Sequence, residues 1–132
     1  MIVVFTDGSS SGNPGLSGAG IYIKAEGKIY EYAIPLQKMS NHEAEFQAVL
    51  EALKICEKKF PDEILSFQTD AQIVVDTLEK KYTKNSNFQP LFQAISEKTR
   101  KFPHFFIKWI PSKQNFHADR LAKKAIQMGH KT

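Results

Sequence analysis

Four acidic residues carry the strongest chemical signal in the sequence. Asp7 ends the β-prone run Ile2-Val3-Val4-Phe5-Thr6, and Asp70 ends a second such run from Ile64 to Thr69. Glu45 is out of place: at about 100° per residue it falls with Ala48, Val49 and Ala52, away from the polar side that carries Glu43, Gln47 and Glu51. Asp119 borders an apolar stripe of Ala118, Leu121 and Ala122. Three of the four have a simple reading when taken singly. Asp70 suits a helix N-cap, Asp7 a turn before Gly8-Ser9, and Asp119 the positive end of a helix dipole. Glu45 has no such reading, because a carboxylate on an apolar face needs a cation or hydrogen bonds to remain charged.

Should the four acids converge, only cations would stabilise the pocket they form. The sequence offers no His-x-x-x-His, Glu-x-x-His or cysteine-rich spacing of the kind zinc prefers. An all-oxygen site suits Mg²⁺ or Mn²⁺. Two such ions ~4 Å apart would clamp the attacking and leaving oxygens of a phosphodiester. A basic surface for a polyanion is the expected companion, and the charge distribution supplies one. Residues 1–79 hold 6 Lys or Arg against 12 Asp or Glu, whereas residues 80–132, Lys131 included, hold 12 basic groups against Glu97 and Asp119 alone. The net charge of +4 conceals this asymmetry.

The acids need elements to position them, and the sequence provides one domain's worth. Its 132 residues are 42% apolar, enough for a single core over 1–132. No apolar run approaches the ~18 residues that cross a bilayer, and the start lacks the basic and apolar segments of a signal peptide. Cys56 is the single cysteine, which excludes an internal disulfide or a thiolate cluster. A soluble, cytoplasmic protein is expected. Ile2 to Thr6 reads as a central strand, Gly8 to Gly20 as a glycine- and serine-rich loop, and Gly20–Lys24 and Ile29–Ile34 as a hairpin turning at Gly27. Ser40-Asn41-His42-Glu43 has the form of a capping box, so a helix should run from there to Lys59, ahead of Phe60-Pro61. A strand at 64–69, a short helix at 71–81, a helix at 88–101, a strand at 105–110 and a last helix from Asn115 complete the chain. A right-handed crossover through the first helix makes the fourth strand parallel to the first. The expected fold is mixed α/β: a five-stranded sheet in the order 3-2-1-4-5, strand 2 antiparallel, with helices on both faces. That order places Asp7 and Asp70 at adjacent strand ends, where such sheets bind ligands.

At these residues the chain resembles type 1 ribonuclease H over nearly its whole length. Thr6-Asp7-Gly8-Ser9 with Gly12-Asn13-Pro14-Gly15 resembles the family's opening motif, and Ser40-Asn41-His42-Glu43-Ala44-Glu45 its first-helix motif. Thr69-Asp70-Ala71-Gln72 resembles the third, and Asn115-Phe116-His117-Ala118-Asp119-Arg120-Leu121-Ala122 the fourth. Each tetrapeptide is weak evidence; all four in order are strong. The resemblance implies a ribonuclease H-like fold and cleavage of the RNA strand of RNA/DNA hybrids with Mg²⁺ or Mn²⁺, two ions per site, leaving 5′-phosphate and 3′-hydroxyl ends. It implies that Asp7 bridges both metals, that Asp119 completes one site and that Glu45 and Asp70 serve the other. Ser10, Gly12 and Asn13 would approach the minor groove, Glu45 and Gln72 the ribose 2′-hydroxyls, and Ser40 and Asn41 a phosphate of the DNA strand.

The sequence also departs from the family. His42 replaces an asparagine, 111–114 lacks the histidine many members carry there, and His117 reads as a surface histidine. The stretch 80–87 is too short for a basic protrusion, and no N-terminal hybrid-binding module is expected. The expected partner is an RNA/DNA hybrid, with no membrane, no protein partner and a monomeric state. His42 and the missing loop histidine motivate one rival, a ribonuclease H-like nucleic-acid-binding module with little or no activity. A second, a nuclease of the same fold acting on DNA junctions or ends, is disfavoured by the retained Gly12-Asn13 and Gln72.

Overall fold

The apolar run at the N-terminus forms β1 (Ile2–Ser10), which pairs antiparallel with β2 (Gly15–Ala25) and parallel with β4 (Leu65–Thr69). In this computed structural model residues 1–130 are described, His130 by its backbone alone; Lys131 and Thr132 lie outside the described residues. β3 (Lys28–Met39) pairs antiparallel with β2, and β5 (Phe105–Trp109) pairs parallel with β4, giving the order β3-β2-β1-β4-β5. The helices are α1 (Asn41–Lys59), α2 (Gln72–Lys80), α3 (Gln89–Thr99) and α4 (Phe116–His130), with a single 3-10 turn at Ser112–Gln114. The sheet order and the antiparallel second strand agree with the expectation from sequence. No helix among the described residues is long and apolar enough to cross a membrane.

Strand alternation assigns the two faces. Ile2, Val4, Ile21, Ile23, Leu65 and Phe67 point to the side covered by α1, where they meet Phe46, Val49 and Leu53 in the main core. Each fully buried Leu, Ile or Phe there contributes about 2 kcal/mol relative to exposure. α4 packs on the opposite face, over β1, β2 and β3, through Ala118, Leu121, Ala122 and Ala125.

The stretch 8–20 corrects the sequence reading. A loop is expected there from its glycines and serines, yet β1 runs on to Ser10, β2 begins at Gly15, and only residues 11–14 turn. The glycines are there for close approach. A Cβ on Gly8 would overlap the backbone of Ala44 and Glu45 in α1, and one on Gly18 or Gly20 would overlap the backbone of α4 at Ala122 or Ala118. Two helices thus reach the sheet at backbone distance, one on each face. Other boundaries shift by a few residues: β3 extends from the expected 29–34 to Met39, α3 is trimmed at both ends, and α4 starts at Phe116.

Candidate active site

Three elements end at one place. β4 stops at Thr69, so Gly8 of β1 lies beyond the last β1–β4 pair, Thr6 with Thr69, and its N–H must find another acceptor. It donates to Glu45 Oε1 at 2.6 Å. The capping box fixes the start of α1, and with it Glu45: the Glu43 N–H donates to Ser40 Oγ at 3.1 Å, and the Ser40 N–H donates to Glu43 Oε1 at 3.0 Å. Gly8, by admitting the α1 backbone, sets how near that carboxylate comes to the sheet.

Asp7, Glu45 and Asp70 each present a carboxylate oxygen within 4.8 Å of the others. The two simpler readings of the aspartates do not hold here. Asp7 is a strand residue paired with Gly20 and only 5% exposed, not a turn residue. The N-cap position of α2 belongs to Ala71, with no side-chain cap, so Asp70 does not cap the helix.

The electrostatics describe a site built for positive charge. Burial pushes Asp7 up to about 10, with Glu45, then Asp70, then Asp119 adding like-charge repulsion. Burial likewise raises Glu45 to about 8; the Gly8 N–H opposes the shift, and the charges of Asp70 and Asp119 reinforce it. Without a cation these groups hold protons that their ordinary values would release. A compact set of carboxylate oxygens with no nitrogen or sulfur donor is the ligand chemistry of Mg²⁺ or Mn²⁺, so the residues present fit a hard divalent ion.

Asp119 stands apart from the three. It is near enough to influence Asp7 and Glu45, but its Oδ2 accepts a hydrogen bond from Lys123 Nζ at 3.0 Å, one turn on in α4. That bond, followed by the charges of Asp119 and Asp7, raises Lys123 above its ordinary value. Both side chains face solvent. The structure therefore brings three of the four predicted acids together and leaves the fourth alongside, paired with a lysine and in the first turn of its helix, as the dipole reading expects.

Two neighbours of the acids escaped assignment of a role from sequence. Asn115 is 1% exposed; its Nδ2 donates to the Thr6 carbonyl at 2.9 Å and lies 3.5 Å from Asp70 Oδ1, while its own Oδ1 has no partner. Trp109 Nε1 donates to the Asp70 carbonyl at 3.2 Å. The first ties the start of α4 to the middle of β1, the second ties β5 to the residue just past β4. Asn115 was legible as part of the fourth motif, but not as a brace.

The residues expected to contact substrate divide. Ser10 Oγ donates to the Gly12 carbonyl and reaches the Met39 carbonyl at 3.0 Å. The Asn41 N–H donates to Asn13 Oδ1 at 3.1 Å, joining the 11–14 turn to the N-terminus of α1. Ser10, Gly12, Asn13, Ser40 and Asn41 are therefore linked in one group, but the Ser40 hydroxyl already accepts from the Glu43 N–H and the Asn41 backbone N–H already donates to Asn13. Gln72, in the first turn of α2, donates to Asp76 Oδ1 at 2.9 Å and so bonds along its own helix. His42 is exposed, its ring edge-on to Phe88 at 6.2 Å. His117 is more than a surface histidine: it stacks on Tyr22 with centroids 4.2 Å apart and planes 3° from parallel.

Comparison with known proteins agrees with this architecture. A sequence model of the RNase H family matches residues 1–127. The chain is 39% identical to a putative hydrolase, EbsB, of Enterococcus faecalis, over 96% of this chain and 95% of that one. It is 36% identical to a ribonuclease H of Trichodesmium erythraeum over 63% of this chain, a match that spans 51% of that protein. Among solved structures it is similar to LC11-RNase H1 in complex with an RNA/DNA hybrid, at a TM-score of 0.89 and 26% identity, covering 98% of this chain and 99% of that one.

Proposed function

The chain belongs to the RNase H family, and on that premise we propose that it is a metal-dependent endonuclease that hydrolyses the RNA strand of RNA/DNA hybrids. The observation that carries this reading is the cluster of Asp7 within β1, Glu45 near the start of α1 and Asp70 just past β4, all oxygen, largely shielded and short of positive charge. β1 continues to Ser10 rather than ending at Asp7 as the sequence predicts. A hybrid-bound structural neighbour supports the substrate class.

Asp7, Glu45 and Asp70 would hold Mg²⁺ or Mn²⁺, with Asp119 joining them once released from Lys123. Two such ions, when bound, supply an activated water and neutralise charge on the phosphate and the departing oxygen. The protein's own part is to fix the carboxylates. Asp7 sits within a paired strand, Glu45 is held by the Gly8 N–H, and Asp70 lies between the Asn115 amide and the Trp109 indole. Water adds to phosphorus, the bond to the 3′-oxygen breaks, and the products carry 5′-phosphate and 3′-hydroxyl ends. The group of Ser10, Gly12, Asn13, Ser40 and Asn41 would meet the hybrid's minor groove and a DNA phosphate. Glu45 and Gln72 would read the ribose 2′-hydroxyl, which distinguishes RNA from DNA.

The Asp119–Lys123 pair favours the rival reading, a binding module that retains the fold without turnover, because it engages one expected metal ligand. One assay separates the two. Purified protein is incubated with a hybrid labelled on each strand in turn, and with duplex DNA, in Mg²⁺ and in Mn²⁺. RNA-strand cleavage yielding 5′-phosphate ends supports the enzyme, and hybrid binding without cleavage in either metal supports the module. Preferential cutting of duplex DNA would replace both with a DNA nuclease.

A further inference from the structure

The face of the sheet that carries Asp7 is only partly covered. α4 packs over β1, β2 and β3, and beyond it the same face continues across β4 and β5. Register places Tyr22, Phe5, Gln68 and Lys108 in one row across four strands, and Lys24, Val3, Ser66 and Phe106 in the next. Phe5 lies two residues before Asp7 on β1 and so points the same way. A groove of about 220 Å³ opens here, and Phe5, Tyr22, Lys24, Asn115, Phe116 and His117 are among its lining residues.

The rings form a continuous series. Phe116 meets His117 at 4.0 Å, His117 stacks on Tyr22 at 4.2 Å, and Tyr22 meets Phe5 edge-on at 6.0 Å. Lys24 Nζ stands 5.7 Å from the Phe5 ring centroid. Phe116 is 57% exposed and Phe106 55% exposed. Phe5 and His117 are half-buried, and Tyr22 is buried behind His117. Neither Lys24 nor Lys108 has an ion-pair partner among the described residues. Accessible rings beside lysines without ion-pair partners on an open sheet face are what single-stranded nucleic acid requires, since bases stack on the rings and the cations follow the backbone. A duplex offers phosphates to such a surface but keeps its base faces hidden. Asn115, which braces Asp70, is one of the residues that line the groove.

We propose that the groove of Phe5, Phe116 and His117, backed by the buried Tyr22, with Lys24 and Lys108 beside it, binds single-stranded nucleic acid continuing from a hybrid engaged at the carboxylates. The location beside the scissile site rests on the hybrid-cleavage reading; the stacking surface itself does not. A strand held this way would direct the protein to hybrids with unpaired ends.

The test measures fluorescence anisotropy of a labelled single-stranded oligonucleotide of about 8 nucleotides with the full chain in chelator, so that catalysis plays no part. Binding should weaken with salt at a slope of about −1.4, the value for two phosphate contacts on a single strand. Phe116→Ala should weaken it about tenfold or more, within the range for one lost base stack, and Lys24→Glu should weaken it and flatten the salt slope. Both positions are exposed, and cleavage of a blunt hybrid should be unchanged in both variants. In metal, a hybrid with an unpaired end should show a lower KM than the blunt one, an advantage lost in the variants. No oligonucleotide binding at low salt, or binding indifferent to both substitutions, would overturn the proposal, as would tighter binding of an acidic peptide of equal charge. If the oligonucleotide binds while no hybrid is cleaved, the nuclease reading fails and this one stands.

Discussion

On the proposed reading Asp7 is the residue on which the chemistry turns, and its burial gives it two measurable consequences. Asp7→Asn should reduce hybrid cleavage by more than about 100-fold, beyond the loss expected for a group that only orients a ligand. Asn115→Ala is such a case, and a loss within about 10- to 100-fold is expected there, from release of Asp70 and of the Thr6 carbonyl. The second consequence concerns stability. Because folding raises Asp7 to about 10 and Glu45 to about 8, the folded metal-free protein binds protons that the unfolded chain has released. Their contribution is most favourable below about pH 4 and is lost progressively as pH rises through 8 to 10. The melting temperature in chelator should therefore fall between pH 5 and pH 8. Asp7→Asn should raise it at pH 8 and flatten the slope, and divalent metal should restore the wild type. A wild-type melting temperature that rises across this interval in chelator, or an Asp7→Asn variant less stable than wild type at pH 8, would contradict the electrostatics. Lys123→Ala should lower the Mg²⁺ concentration needed for half-maximal cleavage, because it frees the Asp119 carboxylate. At this scale the sequence was informative where a residue contradicts its surroundings, as Glu45 does on an apolar face. It was silent on Trp109, whose role depends on β5 ending beside β4, a relation between distant stretches of chain.

Among the elements, close approach does the positioning, and glycine permits it. A Cβ on Gly20 would overlap the Ala118 carbonyl oxygen and the Ala122 nitrogen, both of them backbone that cannot swing aside. Gly20→Ala should destabilise the protein by about 3 kcal/mol, the upper range for overpacking, through displacement of α4 and with it Asn115 and Asp119. Urea denaturation would measure the loss, and a change under about 0.5 kcal/mol, the range of ordinary surface substitutions, would show that α4 can retreat without cost. Glycine is also where the sequence reading of 8–20 went wrong. Gly8, Gly18 and Gly20 resemble loop residues by type, since composition alone does not separate a glycine needed for conformational freedom from one needed for absence of a side chain. The capping box at Ser40 and the break at Phe60-Pro61 were legible because both act through residues adjacent in sequence. The carboxylate cluster was legible through topology, once the crossover rule placed β1 beside β4.

At the scale of the whole molecule, the charge asymmetry becomes spatial. The acidic first part supplies the carboxylates on β1, α1 and the end of β4, and the basic second part supplies α4, β5 and the turn at Ser112–Gln114. A polyanion can then be held beside a pocket that would repel it without metal. Substituting Lys113 with Gln should weaken hybrid binding similarly across sequences and reduce its salt slope by about one, which a salt titration would detect. The fold-level assignment agrees with the family match over residues 1–127, yet fold alone does not choose between an enzyme and a silent relative. What separates them is whether the nest of Asp7, Glu45 and Asp70 takes up hard divalent ions. Anomalous diffraction from crystals grown with Mn²⁺ and a hybrid, using an Asn115→Ala variant to slow turnover, reads this directly. Two anomalous peaks ~4 Å apart are expected among these three carboxylates, with Asp119 turned from Lys123 toward one of them. Crystals containing bound hybrid but no manganese at the three acids would contradict the metal-dependent reading.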